Sequence, residues 1–371
     1  MPPVHLAILL RRPTSNTEPF GAVTPFVQNL TRLGVEEGVE VTAVYRGDVN
    51  QRTRRMLVTR YLGPEGGWQQ EERGLPDVLW NRCLRHDRHR ILPWFGREGV
   101  ALFFQRFLNK WQAHQLLRQD EAIAPHLPET HLLEEGEQLL DLLDRYPTAY
   151  IKPINGSLGK GIMRVEPATR RRLKLRYVSP RTGRLRELLA TADDLDDWLD
   201  DDEREGQYIA QQGLALDLAD ARPVDLRLLL QKDRSGEWGV TGLGARRAAA
   251  DRFTANLHTG GEGVPLDAIV TETGLEAKTV AELAGQLGLQ IAHSLESCCG
   301  PLGELGIDFG LDRSGRLWLI EENARPGRAL FSQIGPPDLA EATYRRPLQY
   351  VRHLAEAKSG EEEATMTSPP A

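Results

Sequence analysis

The sequence predicts a mixed chain: an α/β domain at its head, then a longer α+β region. Three observations carry this. At 371 residues the chain exceeds one ordinary core and has room for two or three. An apolar run from Val4 to Leu10, a helical pattern over 24–38 and a second apolar run from Val39 to Tyr45 follow in the order of a parallel β-α-β unit. Beyond residue 109, short strand-like runs alternate with helical stretches.

The first run stops at Arg11-Arg12-Pro13 and reads as a buried strand. Phe26, Val27, Leu30, Leu33 and Gly34 fall on one face of the helix, with Thr24-Pro25 as its N-cap and first-turn proline. Residues 75–82 offer another strand, which places a first domain at 1–108. Residues 109–119 are helical by periodicity, and Pro125 and Pro128 punctuate the exit. A helix is expected over 132–144 and a short strand over 149–153, stopped by Pro153. Residues 207–216, 223–230, 238–243 and 307–320 read as strands, the last with a turn at Asp312–Gly315. Residues 276–297 and 345–357 read as helices. The acidic, Ser/Thr/Pro-rich stretch 358–371 has no periodicity and is expected to be disordered.

Forty-six Lys and Arg against 53 Asp and Glu leave a formal charge of −7, a poor basis for sequence-independent nucleic-acid binding. No window approaches the apolar length of a membrane span, and Met1–His5 lacks the basic start of a secretory signal. Neither nucleic acid nor membrane is expected as a partner. Cys83, Cys298 and Cys299 form neither a disulfide framework nor a zinc spacing, so a reducing cytoplasm is expected. Residues 164–186 carry nine Lys and Arg, and residues 193–205 carry nine Asp and Glu. These runs fit a solvated hairpin followed by an exposed helix, or a docking surface for an acidic partner.

Three motifs carry chemistry. In the first, Lys152 ends a strand and enters Pro153-Ile154-Asn155-Gly156-Ser157-Leu158-Gly159-Lys160-Gly161. Glycines let backbone amides approach phosphate oxygens, and the lysine can neutralise them. The spacing is neither a Walker A loop nor a dinucleotide fingerprint.

The second is Asp308, followed thirteen residues later by Glu321-Glu322-Asn323-Ala324-Arg325-Pro326-Gly327. The intervening turn lets two strands run antiparallel, with Asp308 beside Glu321. Glu321 and Asn323 share a strand face that Glu322 does not. Two carboxylates and an amide suit magnesium. Asp308-Phe309-Gly310 spells a kinase triplet, but the catalytic loop a kinase needs upstream is missing.

The third is Asp225-Leu226-Arg227, then Arg246-Arg247, then Asn256-Leu257-His258-Thr259-Gly260-Gly261. Arginine suits planar, multi-oxygen anions.

The order of these motifs over about 109–330 resembles the ATP-grasp superfamily, and in particular the glutamate-adding ligases. Their hinge resembles Ala210-Gln211-Gln212-Gly213-Leu214, and their R-R-A resembles Arg246-Arg247-Ala248. Their S-N-L-H-R-G-G resembles Ala255-Asn256-Leu257-His258-Thr259-Gly260-Gly261, with Thr259 in place of an arginine. A tighter resemblance is to the YheC/YheD-type ATP-grasp proteins, described as endospore coat-associated. It rests on Asn109-Lys110-Trp111, Pro128-Glu129-Thr130, Tyr208–Leu214, Val240–Arg246 and Trp318–Asn323.

The resemblance implies a pre-ATP-grasp α/β domain over 1–108, an ATP-grasp N-lobe over 109–205 and a C-lobe over 206–357. It implies ATP and magnesium as cofactors, with Lys110, Lys152, Asn155, Gly156, Ser157, Gly159 and Gly161 at the phosphates. Gln212, Gly213 and Leu214 would lie beside the adenine, and Asp308, Glu321 and Asn323 would hold magnesium. Arg227, Arg247 and Asn256 would be catalytic, the last two at the γ-phosphate and the acyl phosphate. The implied activity is carboxylate–amine ligation with unidentified carboxylate and amine substrates; a kinase of the same fold and a non-catalytic coat scaffold are the alternatives. Spore coat proteins are the implied partners. One of Arg325 and Arg328, flanking Pro326-Gly327, is expected to grip a substrate carboxylate or phosphate. His258 is a candidate general base.

Overall fold

The computed structural model describes residues 2–12, 19–83, 91–156, 159–169, 172–179, 182–199, 207–216, 222–250, 252–255, 257, 260–270 and 273–367, with side chains to Lys358. Three sheets organise the chain.

The first sheet is built from β1 (Val4–Leu10), β2 (Val39–Asn50), β3 (Arg55–Tyr61), β4 (Trp68–Arg73), β5 (Val78–Asn81) and β6 (Ala101–Leu102). Helix α1 (Thr24–Glu37) joins β1 to β2, and α2 (Ile91–Arg97) precedes β6. The strand order is β4-β3-β2-β1-β5-β6, with β1 parallel to both β2 and β5. The expected β-α-β unit is present. The N-cap is Val23 rather than Thr24; the Thr24 hydroxyl accepts from the Phe20 amide at 3.2 Å. Gly38, at φ 68°, ends α1 in the left-handed conformation that glycine adopts without strain.

The second sheet has the order β11-β10-β9-β8-β12-β7. In chain order its region comprises α3 (Lys110–Leu117), β7 (Thr130–Leu133), α4 (Gly136–Arg145), β8 (Ala149–Pro153), β9 (Met163–Thr169), β10 (Arg172–Val178), β11 (Leu185–Ala190), α5 (Ala192–Leu199) and β12 (Tyr208–Gln212). The single helix expected over 132–144 is instead a strand and a shorter helix. The break falls where the Gln138 side chain accepts from the Glu134 and Glu135 amides. Gly136 then lies so close to α5 that a Cβ would meet the Ala192 oxygen at 2.6 Å. The basic run forms three strands rather than one hairpin.

The third sheet has the order β15-β14-β13-β16-β17. Its region comprises β13 (Val224–Lys232), β14 (Trp238–Arg247), β15 (Glu262–Val264), α6 (Asp267–Val270), α7 (Ala277–Cys299), β16 (Glu304–Leu311), β17 (Leu317–Asn323), α8 (Ala329–Ile334) and α9 (Pro337–Thr367). The α9 backbone continues to Thr367, into the stretch expected to be disordered. Glu361–Ala364 and Met366 are good helix formers, and this propensity continues the helix that packing starts.

The first and third sheets share one core. It runs from Leu6, Ile8 and Leu30 through Leu228, Ile291 and Ile307 to Leu348 and Val351 of α9. The second sheet has its own core, of Leu139, Leu142, Ile151, Val165 and Leu175. The second lobe is thus a separately packed layer facing the rest of the molecule. Among the described residues no helix is long and apolar enough to cross a membrane.

Candidate active site

A cavity of about 860 Å³ lies between the second and third sheets. That volume lies in the usual range of small-molecule sites. Lys152 reaches it from β8, where strand alternation turns it away from the buried Ile151. It is 7% exposed, and its ammonium donates to Gln211 Oε1 at 2.5 Å. Gln211 is fixed in turn by donating to Thr130 Oγ1 at 2.9 Å. Burial lowers the Lys152 pKa to about 8; nearby Glu321 opposes the shift and Lys110 reinforces it.

Lys110 is the first residue of α3, capped by Asn109, whose side chain accepts from the Gln112 amide at 2.9 Å. A helix N-terminus is already a positive locus, so a lysine there concentrates charge that an anion would relieve. Its ammonium donates to the Gly156 carbonyl at 2.9 Å and to Glu321 Oε1 at 2.5 Å. The loop after Lys152 is thereby joined to β17.

Gly159 and Gly161 hold φ of 71° and 74°. A Cβ on Gly161 would also meet Pro153 at 3.0 Å, so the turn needs glycine on both counts. Gly156 closes a turn on the Pro153 carbonyl at 3.1 Å, and Asn155 precedes it. Ser157 lies outside the described residues, as do Asn256 and His258.

Gln212, Gly213 and Leu214 line the cavity where β12 leaves the second sheet. The Gly213 amide donates to the Thr148 carbonyl at 2.8 Å, and a Cβ there would lie 2.6 Å from that oxygen. Only glycine fits this crossing.

Asp308 and Glu321 are direct partners in the β16–β17 register, and Gly306 pairs with Asn323. A register shift between Asp308 and Phe309 leaves Ile320 unpaired in this ladder. Asp308 is 3% exposed and is gripped by Arg227, Nε to Oδ1 at 2.5 Å and Nη2 to Oδ2 at 3.0 Å. Arg246 Nη2 lies 3.0 Å from the same carboxylate, and its Nε donates to Asp225 at 2.6 Å. Burial would raise the Asp308 pKa, but the two guanidinium groups outweigh it and hold the pKa below the ordinary value. Glu322 meets a different balance. Burial raises its pKa to about 7, with Glu321 adding to the shift and the two lysines opposing it.

The donor set of Asp308, Glu321 and Asn323 fits magnesium. It offers hard oxygens from adjacent strands, and the protein's own cations already cluster on both carboxylates. Two carboxylates and an amide leave room in the shell for phosphate oxygens and water. Among the described residues no group of three His, Cys, Asp or Glu side chains gathers as a self-sufficient metal cage.

Three expectations are placed differently by the structure. Arg227 is committed to Asp308. The arginine that approaches Asp308 from β14 is Arg246, whereas Arg247 sits opposite Glu262, 3.8 Å away. Arg328 is 7% exposed, paired with buried Glu304, and donates to the Thr343 carbonyl at 3.0 Å. Its guanidinium also lies 4.8 Å from the Phe26 ring. It is a structural residue rather than a substrate grip, because burial with a fixed carboxylate leaves it no reach.

The sequence reading missed four cavity-lining arginines: Arg164, Arg176, Arg222 and Arg252. The first two belong to the basic run. Tyr150, Arg164 and Arg176 are successive cross-strand partners over β8, β9 and β10, so they form one row on the cavity side. The period-2 alternation of that run was the available signal. Arg252 also donates to the Gly183 carbonyl at 3.0 Å, linking the β10–β11 turn to the third-sheet lobe.

Comparison with known proteins agrees with this geometry. Residues 99–354 match the family described as YheC/D like ATP-grasp. The "Endospore coat-associated protein YheD" of Bacillus subtilis (strain 168) is 29% identical over 309 residues, covering 79% of this chain and 66% of that protein. The chain thus spans just under two thirds of that relative's length. A "Probable alpha-L-glutamate ligase" of Xanthomonas oryzae pv. oryzae (strain MAFF 311018) is 27% identical over 253 residues, 68% of each chain. Among solved structures, the D-alanine-D-alanine ligase from Coxiella burnetii superposes with a TM-score of 0.55 at 10% identity, covering 98% of both chains. That likeness extends over the whole chain and shows the ATP-grasp fold. With two thirds of its length matched and the three sheets in place, the chain belongs to the YheC/D-like ATP-grasp family.

Proposed function

We propose that the protein is an ATP- and magnesium-dependent ligase that joins a carboxylate to an amine. The observation that carries the reading is the convergence of Lys110 and Lys152 with the in-register Asp308 and Glu321 on one cavity, Lys110 also holding the glycine loop through the Gly156 carbonyl. Lys110 and Lys152 bind the phosphates of ATP, with Asn155, Gly156, Ser157, Gly159 and Gly161 supplying the loop. Gln212, Gly213 and Leu214 flank the adenine.

Asp308, Glu321 and Asn323 would hold magnesium, which would supply neutralisation of phosphate charge. Arg227 and Arg246 keep Asp308 ionised and fixed in place. Lys152 bears on the charge that develops as the substrate carboxylate oxygen attacks the γ-phosphorus and ADP departs. The amine then attacks the acyl carbon, phosphate leaves, and a proton is released from the nitrogen. Arg247 and Asn256 are assigned to the γ-phosphate and the acyl phosphate by family resemblance alone. The kinship to a probable glutamate ligase supports ligation, and kinship to an endospore coat-associated protein supports a place at the spore coat.

Calorimetric titration of ATP with and without magnesium, repeated on Glu321→Gln, tests the reading. Magnesium-dependent binding that is lost in the variant is expected. Absence of binding at millimolar ATP would refute the enzyme. Products then separate the chemistries: phosphate release with mass gain on an amine marks a ligase, and a phosphorylated acceptor marks a kinase.

A further inference from the structure

The basic run of residues 164–186 ends in a strand whose outer edge is open. Strand β11 is the last of the second sheet, and among the described residues it pairs with β10 alone. Its other edge therefore presents alternate amides and carbonyls without ladder partners. Such edges are commonly blunted by lysine, proline or a bulge. β11 has none of the three, and its register with β10 is unbroken over all six residues.

The strand exposes leucine instead. Among the described residues eight large apolar side chains are exposed, and three of them, Leu185, Leu188 and Leu189, belong to β11. Leu189 is 56% exposed. An open edge that also carries apolar surface is the kind to which an extended segment adds as a further strand.

Cross-strand pairing sorts these side chains by face. Leu185, Glu187 and Leu189 lie opposite Val178, Arg176 and Lys174, and Leu185 and Arg176 line the rim of the cavity. Arg186, Leu188 and Ala190 lie opposite Tyr177, Leu175 and Leu173 on the other face. The two faces differ in charge. Glu187 is already bound, by Arg176 at 3.1 Å and by Lys174 at 3.4 Å. Arg186 is exposed and forms no ion pair, and the same holds for Arg184, which continues its alternation one step before the strand. Six basic residues against two acidic ones over β9, β10, β11 and Arg184 leave this edge positive, on a chain whose total charge is −7.

Successive residues of an added strand point to opposite faces and meet the side chains across from them. One face of β11 offers Leu185 and Leu189 around a compensated glutamate. The other offers two unpaired guanidinium groups. The complement is a strand that is aliphatic on one face and acidic on the other.

We propose that β11 is a docking edge for an extended segment of another protein in which acidic and aliphatic residues alternate. The segment adds to the six-stranded sheet as a seventh strand. Its backbone pairs with the open edge, its aliphatic side chains cover Leu185 and Leu189, and its carboxylates meet Arg184 and Arg186. A nucleic-acid single strand fits less well, because its bases stack on aromatic rings and the exposed side chains here are aliphatic. Docking sets the partner along the rim of the cavity and does not depend on the ligase reading above.

The test is fluorescence anisotropy of the full chain with a labelled heptapeptide that alternates glutamate and valine. A lysine–valine counterpart, hepta-glutamate and heptauridylate serve as comparisons. The glutamate–valine probe is expected to bind ~10-fold or more tightly than each of them. Its binding is expected to slow hydrogen exchange at the amides of residues 185–190. The Arg186→Glu/Leu189→Lys variant reverses one charge and places a lysine on the edge, and it is expected to lose both effects with an unchanged Tm. If that variant is unstable, the exchange pattern of the unaltered chain decides. Equal binding of hepta-glutamate would reduce the edge to plain charge attraction, and tighter binding of heptauridylate would make it a nucleic-acid surface. Peptide binding without protection of residues 185–190 would place the probe elsewhere. A dimer that Leu189→Lys dissociates, with no peptide binding, would make a second copy the occupant. Each of these results overturns the proposal.

Discussion

The Lys110 ammonium and the Glu321 carboxylate meet at 2.5 Å, although 211 residues separate them in sequence. Lys110 belongs to the start of a helix and Glu321 to the last strand of another sheet. Their contact, together with the Lys110 bond to the Gly156 carbonyl, joins the glycine loop after Lys152 to the paired strands of Asp308 and Glu321.

Lys110→Met should therefore weaken ATP binding. A charge-assisted hydrogen bond to phosphate contributes about 2 kcal/mol, so a ~30-fold rise in Kd is expected from calorimetry. Thermal stability without nucleotide should change little, since the pair with Glu321 is only partly buried. An unchanged Kd would remove Lys110 from the phosphate site.

Asp308 anchors a buried network with Arg227, Arg246 and Asp225. Asp308→Ala leaves two guanidinium groups facing one carboxylate. The cost should be about 3–5 kcal/mol, the usual penalty for orphaning a buried charge. Urea unfolding followed by tryptophan fluorescence would register it as a lower midpoint, with Trp238 and Trp318 in the same sheet as reporters. Replacement that leaves the midpoint within error would show that the network is not holding the sheet.

Lys152 yields a prediction in pH. Burial lowers its folded pKa to about 8 from the ordinary 10.5, so the unfolded chain binds the proton more readily between those values. Its contribution to stability should accordingly rise with pH through that window. ATP affinity should move the opposite way, falling above pH 8 as the ammonium that meets phosphate is lost. Lys152→Met should flatten both profiles. A wild-type affinity constant to pH 10 would contradict the assignment.

Gly213→Ala would place a methyl group 2.6 Å from the Thr148 oxygen, a contact that only a backbone shift can relieve. The expected cost is about 1–3 kcal/mol of stability. A shift in nucleotide specificity should follow, because Gln212 and Leu214 move with the hinge. Titration with ATP and GTP would register it as a reduced preference between them.

The local elements were largely legible in the sequence. Helix α1 announced itself by Phe26, Val27, Leu30 and Leu33 on one face, and β8 by its short apolar run before Pro153. The turn brought Asp308 near Glu321, but their direct pairing came from the register shift at Phe309; the turn alone would set Asp308 opposite Ile320. The expected 132–144 helix failed because Leu132 and Leu133 satisfy a strand as well as a helix. What decided between them was pairing with Tyr208 and Ile209 of β12, some 75 residues away.

The sequence by itself determined the residue types on which the proposed chemistry rests: lysines and glycines suited to phosphate, carboxylates and an amide suited to a hard cation. Those properties reside in single residues and their neighbours. Only the tertiary structure decided which arginine does what. Arg227, Arg246, Arg247 and Arg328 look alike in sequence, yet one pair locks Asp308, one sits beside Glu262, and one is buried on Glu304. A guanidinium group takes its role from the carboxylate it reaches. That distance is set by sheet register and by the packing of α9, α1 and the third sheet into a shared core.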